Sequence, residues 1–234
     1  MVDIPLRGQL WDNDSADILR WCGWRDITAP MDIQAALDAA GGDEVTVLIN
    51  SPGGDMTVGA EIRSMLRRYS GKTTALFQGY GASAATLAAS ACTVIQSEPG
   101  ALLCYHNPSG GAEGDYREMR RSAQALKNAR DCVLEMYEAR QGTKSREELI
   151  ALMDKDTWIS PGEAKEYGLI DEIVGLGSQT ADPAAFVAAV GGRYILTDAM
   201  RQAYMDHVAA ERDASAKQET ARRDLAHIRA LASY

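Results

Sequence analysis

The chain has 234 residues, enough for one large domain or one domain with an appendage, and its 46% hydrophobic and 24% charged content is ordinary for a globular protein. A net charge of −9 and a sequence pI near 4.9 argue against nucleic-acid binding, which needs clustered Lys and Arg; Arg67-Arg68 reads as a solvated helix face. Cys22, Cys92, Cys104 and Cys132 show neither C-x-x-C nor zinc-ligand spacing and read as small buried hydrophobic residues of a reducing compartment.

Residues 1–30 read as irregular, with Trp11, Trp21 and Trp24 close together. No basic segment leads into an apolar one there, so no signal peptide is read and a cytoplasmic location is expected. Residues 31–40 predict a short amphipathic helix ended by Gly41-Gly42. The β-branched run 44–50 predicts a buried strand, and Ser-Pro-Gly-Gly at 51–54 a sharp turn out of it. Val58, Ile62, Met65, Leu66 and Tyr69 have helical spacing. Then follow a strand at 73–78, a turn at 79–83, a small-residue helix at 84–91, and strands at 93–97 and 101–105. Residues 73–97 carry no charge, but their Gly, Ser, Thr and Gln content and their separate strand-like and helix-like halves argue against a membrane span.

A glycine-rich loop at 109–114 leads into a long helix over 115–141, with apolar Tyr116, Met119, Ala123, Leu126, Val133 and Tyr137 at spacings of three, four and seven. Residues 146–153 predict a short helix. Ser160, Pro161 and Glu163 form a helix-start signature, Gly168 ends that helix, and 169–174 predict a last strand. Alternating strands and helices predict an α/β fold with crossover connections. Beyond Gly175 the chain turns linker-like to about 183. Residues 197–231, rich in Ala, Arg and Glu without Pro or Gly, predict one long helix or two shorter ones. The expected domains are 1–178 and a helical extension over 179–234.

Three histidines are present. His207 and His227 lie among charged residues on the C-terminal helix and read as exposed surface groups. His106 ends an apolar strand and precedes Asn107-Pro108 and a glycine-rich loop, so it is the best candidate for a base near neutral pH. Ser83, in Gly79-Tyr-Gly-Ala-Ser-Ala-Ala85, follows a strand and opens a small-residue helix. A nucleophilic serine needs that tight turn, that helix start and small neighbours. Ser51-Pro-Gly-Gly54 supplies glycines whose backbone N–H can face an oxyanion.

Ser51-Pro-Gly-Gly-Asp55, Gly81-Ala-Ser-Ala-Ala85, His106-Asn-Pro108 and Trp158-Ile-Ser-Pro-Gly-Glu-Ala-Lys-Glu-Tyr-Gly-Leu-Ile-Asp171 occur in order over residues 43–175. On these motifs the chain resembles the proteolytic subunit of Clp protease, and within that family the ClpP-related head-maturation (prohead) proteases of phages and prophages. The resemblance implies a ClpP/crotonase-like spiral of stacked ββα units, with 115–141 as a handle helix and a C-terminal helical extension. It implies homo-oligomeric rings enclosing a chamber. It implies Ser83 as nucleophile, His106 as base and Asp156 as acid, with Asp154 the alternative acid two residues earlier. The amides of Gly54 and Ala84 would form the oxyanion hole, and Gly53, Gly110 and Gly111 would bind substrate backbone. The implied reaction is serine-type endopeptidase cleavage with no metal or organic cofactor. The partners are polypeptides, capsid or scaffold proteins among them, with neither nucleic acid nor membrane. The location is cytoplasmic, extending to phage procapsids. The N-terminal segment departs from the axial-loop region of housekeeping Clp subunits, which leaves an AAA+ unfoldase partner open. The competing readings are a catalytically silent ring-forming subunit and a crotonase-fold acyl-CoA enzyme.

Overall fold

The computed structural model describes residues 1–175, 196–212 and 217. The expected boundary at 178/179, the linker beyond 175 and His227 lie outside them. The chain divides into two compact units, one of residues 1–16 and 26–192, the other of 17–25 and 193–234.

The first unit is mixed α/β, as expected. Its elements are β1 (Val2–Leu10), the start of α1 (Asn13–Trp21), β2 (Ile27–Thr28), α2 (Pro30–Ala40), β3 (Val45–Gly54), α3 (Met56–Arg68), β4 (Thr73–Ala82), α4 (Ala84–Ala89), β5 (Val94–Ser97), β6 (Leu102–Cys104), α5 (Tyr116–Glu138), α6 (Arg146–Lys155), β7 (Trp158–Ile159), α7 (Pro161–Glu166) and β8 (Glu172–Ile173). The sheet runs β2-β1-β3-β4-β5-β8, all parallel. β4 changes partner along its length. Thr74–Phe77 face β5, whereas Tyr80–Ala82 face β6, and β6 in turn pairs antiparallel with β7.

Residues 1–30, expected to be irregular, instead hold β1, α1 and β2, and they open with a strand. In Val2–Leu10 the side chains of Ile4, Leu6 and Leu10 are buried and Asp3, Pro5 and Arg7 are exposed, the period-two pattern of a half-buried strand. Pro5 sits where only β3 lies beside β1, since β2 reaches only Gln9 and Leu10, so its missing N–H falls on a sheet edge. This strand also explains why Ser51–Gly54 is not a turn out of the sheet. Gly53 and Gly54 pair with Gln9 and Leu10 after a register shift, so β3 continues through them. β4 likewise runs through the expected turn at 79–82 because β6 receives its second half.

The helix starts follow their capping residues. Asp55 accepts from Thr57 N at 2.7 Å, Asp115 from Arg117 N at 2.8 Å, and Ser145/Glu148 and Ser160/Glu163 form reciprocal capping boxes. One continuous core joins the sheet to the helices, with Leu6, Ile49, Ile62, Phe77, Leu103 and Leu134 fully buried. α5 is buried only in its second half, at Val133, Leu134 and Tyr137; Tyr116 and Met119 in its first half are exposed.

In the second unit residues 198–212 are helical. His207 is half-buried rather than exposed, because its ring lies 5.1 Å from that of Trp21. Among the described residues no helix is long and apolar enough to cross a membrane. Cys92 and Cys104 are buried; Cys22 and Cys132 are exposed, unlike the buried residues expected.

Candidate active site

Ser83 stands between the end of β4 and the start of α4, with φ 56° and ψ −129°. A side chain at positive φ is strained by about 1–3 kcal/mol, and such strain persists where the surroundings impose it. Three contacts impose it here. Ser83 N donates to the Cys104 carbonyl at 3.0 Å. The Ser83 carbonyl accepts from Thr86 N at 2.9 Å and from Thr86 Oγ1 at 2.6 Å. Thr86 Oγ1 is in turn 2.7 Å from the Tyr137 hydroxyl, which comes from α5 and is 3% exposed. Since the Thr86 proton goes to Ser83, Tyr137 donates to Thr86. Burial pushes the Tyr137 hydroxyl well above its ordinary pKa, so it stays a donor.

Gly53 is fitted against this turn. A Cβ there would lie 2.5 Å from the Ala82 carbonyl oxygen, 2.7 Å from Ser83 Cβ and 2.8 Å from Ala84 N. Only glycine leaves the Ala84 amide uncovered, and its φ of 84° also excludes other residues. The Gly53 N–H is engaged by Ser51 Oγ at 3.0 Å, and that hydroxyl donates to the Gly8 carbonyl at 2.6 Å. Gly53 therefore shapes the turn at Ser83, a role beyond the substrate contact expected of it. Gly54, at the last pairing of β3 with β1, and Ala84, first residue of α4, are the expected oxyanion donors, and they flank Gly53 and Ser83 respectively. Gly59 on α3 makes a second close approach: its Cβ would meet the Ala84 carbonyl oxygen at 2.5 Å.

His106 and Asp156 are brought together by strand register. In the antiparallel pair of β6 and β7, Leu103 faces Ile159 and Cys104 faces Trp158. Continuing that register by two residues sets His106 opposite Asp156. His106 Nδ1 lies 3.9 Å from Asp156 Oδ1, and 2.8 Å from the Asn107 carbonyl oxygen. A carbonyl only accepts, so Nδ1 carries the proton and the neutral ring leaves Nε2 as its basic nitrogen. Asp156 caps α6 with φ 46° and ψ 49°, a left-handed position usually given to glycine or asparagine. Its charge is also felt at Cys104, whose thiol is pushed up to about 12 by burial first and by Asp156 second. Asp154 points elsewhere, accepting from Asn107 Nδ2 at 2.8 Å. Among the described residues Ser83 Oγ has no hydrogen-bond partner, and no bond joins it to His106.

Gly110 and Gly111 lie in an exposed segment without strand structure. Sequence reasoning missed Thr86 and Tyr137. A threonine three residues after the serine is a recognisable helix-start signal, but its link to a tyrosine 51 residues on is not.

The Clp protease family matches residues 30–177, more than half of the chain. The chain belongs to the Clp protease family. Within that family it is 34% identical over 128 residues to the ATP-dependent Clp protease proteolytic subunit of Mesostigma viride, covering 54% of this chain and 56% of that one. It is 30% identical over 135 residues to the subunit of the same name from Bacteroides fragilis, covering 57% and 65%. To that from Nephroselmis olivacea it is 32% identical over 127 residues, covering 53% and 61%. The chain thus spans less than two thirds of the length of the Clp protease relatives it matches. The matched residues contain β3 to α7, and so Ser83, His106 and Asp156.

Proposed function

We propose that this chain is a serine-type endopeptidase working in a homo-oligomeric ring, with Ser83 as nucleophile, His106 as general base and Asp156 as the orienting acid. The observation that carries this reading is the strained Ser83 turn bonded to Cys104 at the end of β6, two residues before His106, with Asp156 facing that histidine. Nε2 of His106 takes the Ser83 proton as Oγ attacks the scissile carbonyl. The amides of Gly54 and Ala84 hold the oxyanion. His106 then protonates the leaving amine, and water, deprotonated by the same nitrogen, hydrolyses the acyl-enzyme. Asp156 draws Nδ1–H away from the Asn107 carbonyl as their 3.9 Å separation closes by about 1 Å to hydrogen-bond length. The exposed segment with Gly110 and Gly111 orders against an extended substrate as an added strand.

Assembly is the event that closes the site in this reading, because the exposed first half of α5 and the open 107–114 segment are adjacent along the chain. The substrates are polypeptides, and head maturation of a phage or prophage is the role the motif resemblance favours. The missing Ser83–His106 bond favours the rival reading of a silent ring subunit. Hydrolysis of a fluorogenic peptide, measured on size-separated fractions, distinguishes them. Activity in the oligomer that Ser83→Ala abolishes supports the peptidase; a well-assembled, inert wild type supports the silent subunit.

A further inference from the structure

α3, the turn after α4 and the segment that follows α5 line an open cavity of about 470 Å³. Its lining includes Arg63, Arg67, Arg140, Ser90, Thr93 and Asp171, three guanidinium groups against one carboxylate in a chain of net charge −9. Arg63 and Arg67 are four residues apart on α3 and so share a face, where like charges repel. Burial and then the Arg67 charge push the Arg63 guanidinium below its ordinary pKa.

Asp171 does not neutralise this pair. Its carboxylate is taken by Arg140 Nη2, at 2.7 and 2.8 Å, and by Ile95 N at 2.6 Å. Arg63 finds only neutral acceptors, Ser90 Oγ at 2.9 Å and the Met136 carbonyl at 3.4 Å. Among the described residues the Arg67 side chain has no ion pair or hydrogen bond, and Arg140 Nε is buried without an acceptor. A basic last turn complements the dipole of α3, which accounts for Arg67 and Arg68 as charges. It does not account for the buried orphan donor of Arg140, which follows the end of α5 and costs about 1–3 kcal/mol if left unmatched.

We infer that this cavity is a binding site for a small phosphate-class oxyanion, held by Arg63 and Arg67 with Arg140 behind them. The guanidinium fork presents paired N–H donors to two oxygens of a tetrahedral anion, and Thr93 adds a hydroxyl; the Ser90 hydroxyl donates to the Leu87 carbonyl at 2.7 Å and serves only to hold Arg63. No aromatic ring is among the lining residues, so the cavity offers no platform for a nucleobase and suits free phosphate. The site is separate from Ser83, His106 and Asp156, and its occupation does not depend on peptidase activity.

The test is calorimetric titration of the full chain with inorganic phosphate, against chloride at matched ionic strength. Saturable binding to one site per chain is expected, weakened about tenfold by Arg67→Gln, the loss of one charge-assisted contact. Arg63→Gln should weaken it at least as much. Arg68→Gln, on the same helix turn but bonded to Ser64 and outside the cavity, should leave it unchanged. No saturable binding to the wild type overturns the inference. So does unchanged affinity in Arg67→Gln, or an equal loss in Arg68→Gln, which would mean diffuse charge alone. Arg67 is exposed, so its variant decides the matter even where Arg63→Gln fails to fold.

Discussion

Asp154 and Asp156 are two carboxylates two residues apart, and register separates them. Asp156 faces His106, while Asp154 accepts from the Asn107 side chain. Asp156→Asn should therefore lower kcat/KM by about 10²–10⁴, the range expected when the imidazole loses its orienting acid. Asp154→Asn retains an acceptor for Asn107 and should change kcat/KM less than about threefold. A larger loss in the Asp154 variant would reverse the assignment, and steady-state kinetics on a peptide reads both. Ser83 and His106 were legible in the sequence because residue type, strand ends and turn glycines coincide at each. The choice between the two aspartates was not, since it depends on a two-residue β7 whose partner lies 54 or more residues earlier. Thr86 and Tyr137 were hidden for the same reason: a hydrogen bond between α4 and α5 leaves no local pattern.

At the scale of elements, α2 to α7 were legible, whereas α1 and the strand limits were not. Capping boxes and apolar spacing are local properties, and α2, α3, α6 and α7 begin within about two residues of their signals. Strand length is set by partners. β3 and β4 outrun their turn-like glycines because β1 and β6 are there to pair with them. β1 itself was obscured by Pro5 and Gly8, which interrupt an otherwise alternating run. The packing of α3 on α4 yields a prediction at this scale. Gly59→Ala places a Cβ 2.5 Å from the Ala84 carbonyl oxygen, so α4 must shift. The variant should lose about 1–3 kcal/mol of stability. Displacing the proposed oxyanion donor should also lower kcat by about tenfold or more. Denaturant unfolding and kinetics measured on the same sample check both parts; full activity with normal stability would show that the contact is slack.

For the whole molecule, family membership rests on residues 30–177, and the ring is the proposal that gives the exposed half of α5 a purpose. Tyr116 is 62% exposed and Met119 42%, on a helix whose second half is buried. If copies meet through this half, the chain should elute as a multiple of 25.3 kDa, and Met119→Glu should reduce the assembled mass measured by light scattering, with peptidase activity falling in step. Unaltered mass in that variant would place the contact elsewhere. The central claim, an activated serine at position 83, is tested most directly by labelling the assembled protein with a fluorophosphonate probe and weighing the intact chain. The account predicts one adduct on the wild type and none on Ser83→Ala or His106→Ala. An unlabelled wild-type oligomer, or an adduct that survives Ser83→Ala, would contradict it.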